Sequence, residues 1–160
     1  MYICNEYKFK QIINTKMKRL ISIFTLLLLA VSATAIERPI SFEKLPRKAQ
    51  VLINTHFHQL AISYITKEYD DGQVDYEVHF ANGSHIDFGR KGGWRQIQTR
   101  GENTVPLALL PESIVNYLAA NHPGAKVIKV DKERREYEVK LTGGIELSFD
   151  HNGRFRWYED

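Results

Sequence analysis

The stretch Tyr76-Glu77-Val78-His79-Phe80 returns 61 positions later as Tyr137-Glu138-Val139-Lys140-Leu141. In both stretches apolar and polar residues alternate, which is the period of a β-strand with one buried face. The same shift also aligns apolar, glycine and aromatic positions further along the chain: Ile86 with Leu147, Phe88 with Phe149, Gly92 with Gly153, and Trp94 with Phe155. The sequence therefore predicts one structural unit that occurs twice.

A helix precedes the alternating strand in each unit. Pro46 and Pro111 stand where a helix accepts proline, in its first turn. The apolar residues that follow have helical spacing: Ala49, Leu52, Ile53 and Phe57 in the first unit, Ile114, Tyr117 and Leu118 in the second. Further strands and glycine-containing turns complete each unit. We therefore expect an α+β fold of two tandem repeats, each one helix followed by an antiparallel meander of about four strands, with the helices on one face of the sheet.

The chain begins with a segment typical of export signals. A basic cluster at residues 16–19 precedes an apolar run at residues 20–31, and Ala33-Thr34-Ala35 forms a cleavage site of small residues. The run is too short to span a bilayer comfortably, which disfavours the alternative of a retained membrane anchor. We expect residues 1–35 to be a leader with a signal peptide; residues 1–16 are either an over-called start, with translation beginning at Met17, or part of a long leader. Cleavage near Ala35 would release the protein into the periplasm or the extracellular space.

The two expected repeats follow the leader, at residues 41–98 and 107–159, with a linker at residues 99–106. Of the 22 basic and 19 acidic residues, 5 and 1 lie in the first 35 positions, so the mature chain carries 17 and 18. This near-neutral balance gives no support to nucleic-acid binding, which needs excess positive charge. Cys4 is the single cysteine and belongs to the leader, so no disulfide is expected after cleavage.

Cross-strand pairing decides which side chains share a face of the sheet. All the apolar strand residues face the helix if Phe80 lies opposite Ile86, Val78 opposite Phe88, and Phe88 opposite Trp94. The other face then carries a polar column in each repeat, formed by His79, Asp87 and Arg95 in the first and by Lys140, Ser148 and Arg156 in the second.

The face away from the helices is the predicted binding surface. One helix in each unit covers only one face of its sheet, so the other face stays open to a partner. Arginine and aromatic side chains are enriched where proteins bind each other, whereas Trp94 and Trp157 are expected to point into the core. The residues predicted to bind a partner are His79, His85, Asp87, Arg95, Ile97, Lys140, Glu146, Arg156 and Tyr158.

The residues capable of catalysis or metal binding form no recognisable constellation. His56-Phe57-His58 places two imidazoles on different sides of a helix, so they cannot both face one ion. His79 and Asp87 would lie side by side, yet the matching positions Lys140 and Ser148 break any catalytic pattern, and a hydrolase also needs an activated nucleophile. The glycine-rich stretches lack the lysine and hydroxyl residue of a phosphate-binding loop. We therefore predict no catalytic residues, no metal site and no cofactor.

The order of these elements resembles the PepSY-like family of small exported bacterial proteins. The resemblance rests on the Leu-Pro helix, the Tyr-Glu-Val strand and a closing turn, which reads Gly89-Arg90-Lys91-Gly92-Gly93-Trp94 in the first repeat and Asp150-His151-Asn152-Gly153-Arg154-Phe155 in the second. Gly89 stands where an aspartate is usual in the family. The resemblance implies tandem α/β units akin to the β-lactamase inhibitory protein, which grips an enzyme with a concave sheet face, and it implies no catalytic residues.

The sequence thus predicts an exported, non-enzymatic binding protein, an inhibitor or modulator of a secreted or envelope protein, which uses the open concave sheet face. The expected partner is an unidentified protein or peptide in the cell envelope; nucleic acid and stable membrane insertion after cleavage are not expected. Two alternatives stay open. One is a small exported hydrolase that uses His79 and Asp87, and the other is an accessory or sensory module for a membrane partner.

Overall fold

The computed structural model describes residues 38–70, 73–133 and 135–159. The predicted signal peptide in residues 1–35 lies outside the described residues. Two α-helices occur in the described part of the chain, α1 (Arg47–His56) and α2 (Glu112–Asn121), each preceded by a 3-10 turn, Phe42–Lys44 or Leu107–Leu109. The strands are β1 (Arg38–Pro39), β2 (Ile62–Asp70), β3 (Gln73–Phe80), β4 (His85–Gly89), β5 (Trp94–Gln98), β6 (Val127–Lys132), β7 (Glu136–Leu141), β8 (Glu146–Asp150) and β9 (Phe155–Glu159).

The strands of the described residues form a single nine-stranded antiparallel sheet whose order follows the chain, β1 to β9. The prediction of two tandem helix-plus-meander repeats is therefore wrong. β5 pairs directly with β6, with Ile97 opposite Val130, and the linker is tied to the same strand because the amides of Thr99 and Val105 donate to the carbonyls of Ile128 and Val127. Unpaired backbone groups at a buried strand edge destabilise a fold. Pairing with β6 satisfies the edge of β5, so the sheet continues through β5 instead of ending there.

One hydrophobic core lies between the two helices and one face of the sheet. The buried residues Ala49 and Ile53 of α1 and Ile114 and Leu118 of α2 belong to the same cluster as the buried residues of β3 to β8. Helices of ten residues are marginal in water by themselves. Full burial of an isoleucine or leucine side chain contributes roughly 1.5–3 kcal/mol, so contact with the sheet is what holds both helices in place.

The turns that join β4 to β5 and β8 to β9 pack against the start of each helix. Gly92 and Gly153 adopt left-handed φ angles of 74° and 75°. A Cβ at Gly92 would lie 2.8 Å from the Cβ of Pro46, and one at Gly153 would collide with Ser113 Oγ. Ser113 Oγ itself donates to the carbonyl of Asn152 at 2.8 Å. Glycine is therefore required at both turns by conformation and by space.

The strand register differs from the predicted one by two residues in the β3–β4 hairpin. Val78 lies opposite Ile86, and Tyr76 lies opposite Phe88. A slip of two residues keeps every side chain on its predicted face, so the prediction that His79 and Asp87 share the face away from the helices is confirmed. The predicted pairing of Phe88 with Trp94 is also confirmed, and Trp94 packs against the core as expected.

Two β-bulges change the faces of the residues that follow them. Asp87 pairs with Gln96 while Phe88 pairs with Trp94, which leaves Arg95 as the extra residue of β5. In the same way Arg156 is the extra residue of β9, between Phe155 and Trp157. A bulge shifts the alternation by one residue, and this shift decides which parts of β5 and β9 reach the functional face.

No helix in the described ranges is both long enough and apolar enough to cross a bilayer.

Candidate functional site

The face of the sheet that points away from α1 and α2, here called the open face, carries two parallel rows of polar side chains. The first, the acidic row, crosses β3 to β8 and consists of Glu77, Asp87, Gln96, Asp131, Glu138 and Ser148. The second, the histidine–lysine row, crosses the same strands and consists of His79, His85, Gln98, Lys129, Lys140 and Glu146. Residues that are opposite each other in a sheet point to the same side, so each row is continuous.

The acidic row borders a shallow depression of about 490 Å³. Six carboxylates and two basic side chains line it, contributed by Glu68, Asp75, Glu77, Asp87, Asp131, Glu133, Arg95 and Lys132. Burial, and next the neighbouring Glu77 carboxylate, raise the pKa of the Asp87 carboxyl to about 7. Burial, together with Asp131, also raises the pKa of Glu138. The site therefore holds two carboxyls, Asp87 and Glu138, in positions where negative charge is unfavourable.

The histidine–lysine row is ordered by ring stacking and by contacts to the acidic row. The ring of His79 stacks on Tyr64 at 4.3 Å and on His85 at 5.6 Å between centroids. His79 Nε2 lies 2.9 Å from Glu77 Oε2, and Gln96 Nε2 lies 2.8 Å from His85 Nε2. Burial, and next the neighbouring His79, lower the pKa of His85. These contacts fix the imidazoles in place on a face that neither α1 nor α2 covers.

The lysines of the row are also paired. Lys129 Nζ lies 2.7 Å from Asp131 Oδ2, and Lys140 Nζ donates to Glu146 Oε1 at 2.5 Å. Ion pairs that remain partly open to solvent, as these do, stabilise a fold by about 0–1 kcal/mol. Their main effect here is to orient the charged groups of the open face.

Arg95 reaches the open face from the β5 bulge. Its side chain crosses above Gly89, where a Cβ would lie 3.0 Å from Arg95 Nε, and Nη1 donates to Asp75 Oδ2 at 2.7 Å. Gly89, which stands where an aspartate is usual, thus leaves the space that the Arg95 side chain fills. At the corresponding turn, Asp150 Oδ1 accepts from the amides of Asn152 and Arg154 at 2.9 Å, and these amides lower the pKa of Asp150.

Three of the nine predicted binding residues need correction in their position. Ile97 was expected on the open face but is 0% exposed, in the core opposite Ile86 and Val130. Tyr158 pairs with Leu147 on the helix side, and its hydroxyl lies 3.3 Å from His122 Nε2 near the end of α2. The bulges cause both errors, because the strict alternation assumed from the sequence breaks at Arg95 and Arg156.

Arg156 is the third predicted binding residue that lies elsewhere than expected. It does not stand in a column with Lys140 and Ser148. As the bulge residue of β9 it is exposed, and its guanidinium lies 5.6 Å from the centre of the Trp157 ring. Trp157 was expected in the core, yet it lies opposite Ser148 on the open face and is exposed. The other six predicted residues lie on the open face, namely His79, His85, Asp87, Arg95, Lys140 and Glu146. Their role in binding stays a prediction.

The sequence interpretation missed most of the acidic row. Glu77, Gln96, Asp131 and Glu138 were not predicted as site residues, although the alternation of their strands assigned Glu77 and Glu138 to the correct face. The missing information was the β5–β6 pairing, which brings Gln96 opposite Asp131. No local signal in the sequence specifies that contact, because residues 99–126 separate the two strands.

The geometry does not support the hydrolase alternative. His79 contacts Glu77, whereas Asp87 lies opposite Glu77 and Gln96, diagonally across from the imidazole. Within the described ranges, no group of three or more histidine, cysteine, aspartate or glutamate residues is placed to hold a metal ion. What the open face can do is bind: it offers charged groups, hydrogen-bond acceptors and exposed aromatic rings.

Comparison with known proteins gives one family and several solved structures. The family model described as "Putative beta-lactamase-inhibitor-like, PepSY-like" matches residues 74–156. A Bacteroides vulgatus protein described as a "putative periplasmic protein from DUF2874 family" is 34% identical, with a TM-score of 0.74, and the match covers 78% of this chain and 97% of that one. The curated proteins give no significant match.

Two further structures are similar to the same extent. A Bacteroides thetaiotaomicron protein described as a "putative calcium-regulated periplasmic protein" is 33% identical, with a TM-score of 0.73, over 78% of this chain and 97% of that one. A second Bacteroides vulgatus protein, described as periplasmic and of unknown function, is 33% identical, with a TM-score of 0.72, over 79% of this chain and 99% of that one.

Proposed function

This chain belongs to the PepSY-like family, and from that premise we propose that it is an exported, non-enzymatic protein that binds a partner protein on the open face of its sheet. An inhibitor or modulator of a secreted or envelope protein is the form of this function that the family description favours. The leader at residues 1–35 and the periplasmic description of the similar structures support export. Cleavage near Ala35 is part of the proposal.

The observation that carries the proposal is the composition of the uncovered open face. Both helices pack on the other side, and the open face retains stacked rings, paired charges and a depression of about 490 Å³. Tyr64 is 50% exposed on this face, and Trp157 is exposed at its far end. Exposed aromatic residues among charged groups are often the ones that contribute most of the binding energy at protein interfaces.

Site-specific photocrosslinking in the cell envelope tests the proposal, and the sheet supplies a matched control. A photoreactive residue at Tyr64 should capture one defined partner. The same residue at Tyr69, which is 43% exposed but points to the helix side of the same strand, should not. Crosslinks of equal yield from both positions, or from Tyr69 alone, would refute binding through the open face.

A loss-of-function test complements the crosslinking. Tyr64→Ala should weaken capture of the purified partner by about tenfold or more, as expected for an interface anchor. Tyr69→Ala should leave it unchanged. Both tyrosines are about half exposed, so similar effects of the two substitutions on stability would show that the difference in capture comes from the interface.

A further inference from the structure

The acidic row places like charges directly opposite each other at two points. Glu77 lies opposite Asp87, and Asp131 lies opposite Glu138, with Gln96 between the two pairs. Like charges directly opposite in a sheet destabilise it. Two such pairs in one row are therefore unfavourable for folding. The chain offsets one carboxylate of each pair, since His79 contacts Glu77 and Lys129 pairs with Asp131, whereas Asp87 and Glu138 have no ion pair within the described residues.

Several polar atoms along the row have no hydrogen-bond partner within the described residues. They include Asp87 Oδ1, which is shielded from solvent. Two buried hydroxyl groups without a partner lie at the two ends of the row. Ser148, its last member, is 1% exposed and opposite Glu138, and Thr66 of β2, just beyond the first member, is 7% exposed and opposite Glu77. Both hydroxyls point to the open face, beside the carboxylates. A buried polar group without a partner costs about 1–3 kcal/mol, so the row has an unsatisfied polar group at each end and at Asp87.

The nearby basic groups of the described residues contact other parts of the chain and not Asp87 or Glu138: Lys129 pairs with Asp131, and His79 contacts Glu77. Arg95 Nη1 is engaged by Asp75, and Lys132 Nζ lies over the rings of Trp94 and Tyr137, at 4.9 and 5.8 Å from their centres. The amide of Gln96 contacts His85. An ionised carboxylate only accepts hydrogen bonds, so a ligand at Asp87 and Glu138 would have to offer donors, and a positive charge on it would favour the ionised form of both carboxyls.

The spacing of the two acid pairs favours an extended ligand and not a single ion. Neighbouring strands lie about 4.8 Å apart, so the centres of the pairs, three strands apart, are separated by about 14 Å. A calcium ion needs six to eight oxygens within about 2.6 Å, which such a row does not offer. In an extended peptide, residues i and i+4 lie on the same side and about 13–14 Å apart.

We propose that the acidic row binds an extended segment of a partner protein that carries two arginines four residues apart, with one guanidinium at each acid pair. Arginine fits better than lysine because its planar guanidinium has five donors and can bond two carboxylates at once. The depression beside Glu77, Asp87 and Asp131 gives the first side chain room. This inference rests on the proposed function, since it names the chemistry of the partner for the same face.

Short peptides test the inference without knowledge of the partner. The probe is Ac-Arg-Ser-Thr-Ser-Arg-NH₂, and its control of identical composition is Ac-Arg-Arg-Ser-Thr-Ser-NH₂. Binding is measured by amide chemical shifts of the purified protein, at low and at physiological ionic strength. We expect the spaced peptide to bind about tenfold more tightly than the adjacent one, with shifts centred on Glu77, Asp87, Asp131 and Glu138.

Charge-neutral variants separate the row from general electrostatic attraction. Asp87→Asn combined with Asp131→Asn should weaken binding of the spaced peptide by about tenfold or more. Glu102→Gln combined with Glu112→Gln removes the same charge at exposed positions away from the row and should leave binding unchanged. Circular dichroism establishes that each variant is folded.

Several results would overturn the inference. One is equal affinity of the protein for the two peptides, and another is an equal loss of affinity in both double variants. The others are binding of spermidine as tightly as the spaced peptide, and calcium chloride producing the same chemical-shift changes as that peptide. If the peptides fail while Tyr64 still crosslinks to a partner, only the arginine chemistry is wrong. If the spaced peptide binds while Tyr64 captures no protein, the proposed function is wrong and the acidic row recognises arginine in another context.

Discussion

Replacement of Asp87 by asparagine should make the protein more stable at pH 8. The carboxyl lies in the acidic row, where burial and then the Glu77 carboxylate raise its pKa from 3.8 to about 7. The folded state therefore binds the proton of Asp87 more tightly than the unfolded state does. As pH rises from about 4 to about 7 the unfolded state ionises first, so the free energy of unfolding falls through this window and is constant above it.

The size of the effect follows from the same numbers. A rise of the pKa from 3.8 to about 7 corresponds to about 4 kcal/mol if solvent screening is ignored. Asp87 is only partly buried, so screening reduces this value, and we expect roughly 1–3 kcal/mol of added stability in Asp87→Asn at pH 8. The gain should become small near pH 4 and vanish below about pH 3, where the aspartate is neutral in both states.

Urea denaturation of both proteins at several pH values between 4 and 8, followed by tryptophan fluorescence, measures the difference directly. Asp150→Asn is the control of opposite sign. Backbone amides lower the pKa of Asp150, so its stabilisation is present above the unfolded pKa and is lost as pH falls through the folded one. An Asp87→Asn protein less stable than the wild type at pH 8, or a difference that does not grow with pH, would refute the electrostatic account of the acidic row.

Three further predictions concern the fold and its processing. Gly143 has a left-handed φ and open space around it, so Gly143→Ala should lower the free energy of unfolding by about 1 kcal/mol. Gly153→Ala should lower it at least about twice as much, because the new methyl group also collides with the start of α2. Ile97→Ala should lower the free energy of unfolding, measured by urea denaturation, by about 2–5 kcal/mol because it leaves a cavity in the core. Arg95→Ala removes an exposed ion pair and should lower it by about 0–1 kcal/mol. Equal losses in the two variants would contradict the assigned faces of β5. Mass spectrometry of the exported protein should give a chain that starts at Ile36, and a retained apolar segment would exclude cleavage after Ala35.

The alternation of polar and apolar residues was enough to predict the strands around Val78 and Val139 and the faces of their side chains. A face depends only on the period of two, which survives a register slip of two residues. The positions of Ile97 and Tyr158 could not be predicted in this way, because one inserted residue in a bulge reverses the alternation and leaves no clear mark in the sequence.

The acidic row shows the same limit for function. Each of its members is visible as a polar residue on a strand, but the row exists only through pairings across strands. The pair formed by Glu77 and Asp87 belongs to one hairpin and follows from a local turn, whereas Gln96 meets Asp131 across a long connection. Sequence periodicity contains no information on that contact, so a site assembled across it was found only from the structure.

The chain-order arrangement of the strands also bears on how fast the protein reaches its native state. Each hairpin from β2 to β5 and from β6 to β9 closes a short loop, so its entropic cost is low and it can form early. Pairing of β5 with β6 must instead close the long connection through residues 99–126. Docking of these two central strands is therefore the expected rate-limiting event of folding. A substitution at Val130 should slow refolding, whereas one at the tip of an outer hairpin should mainly accelerate unfolding.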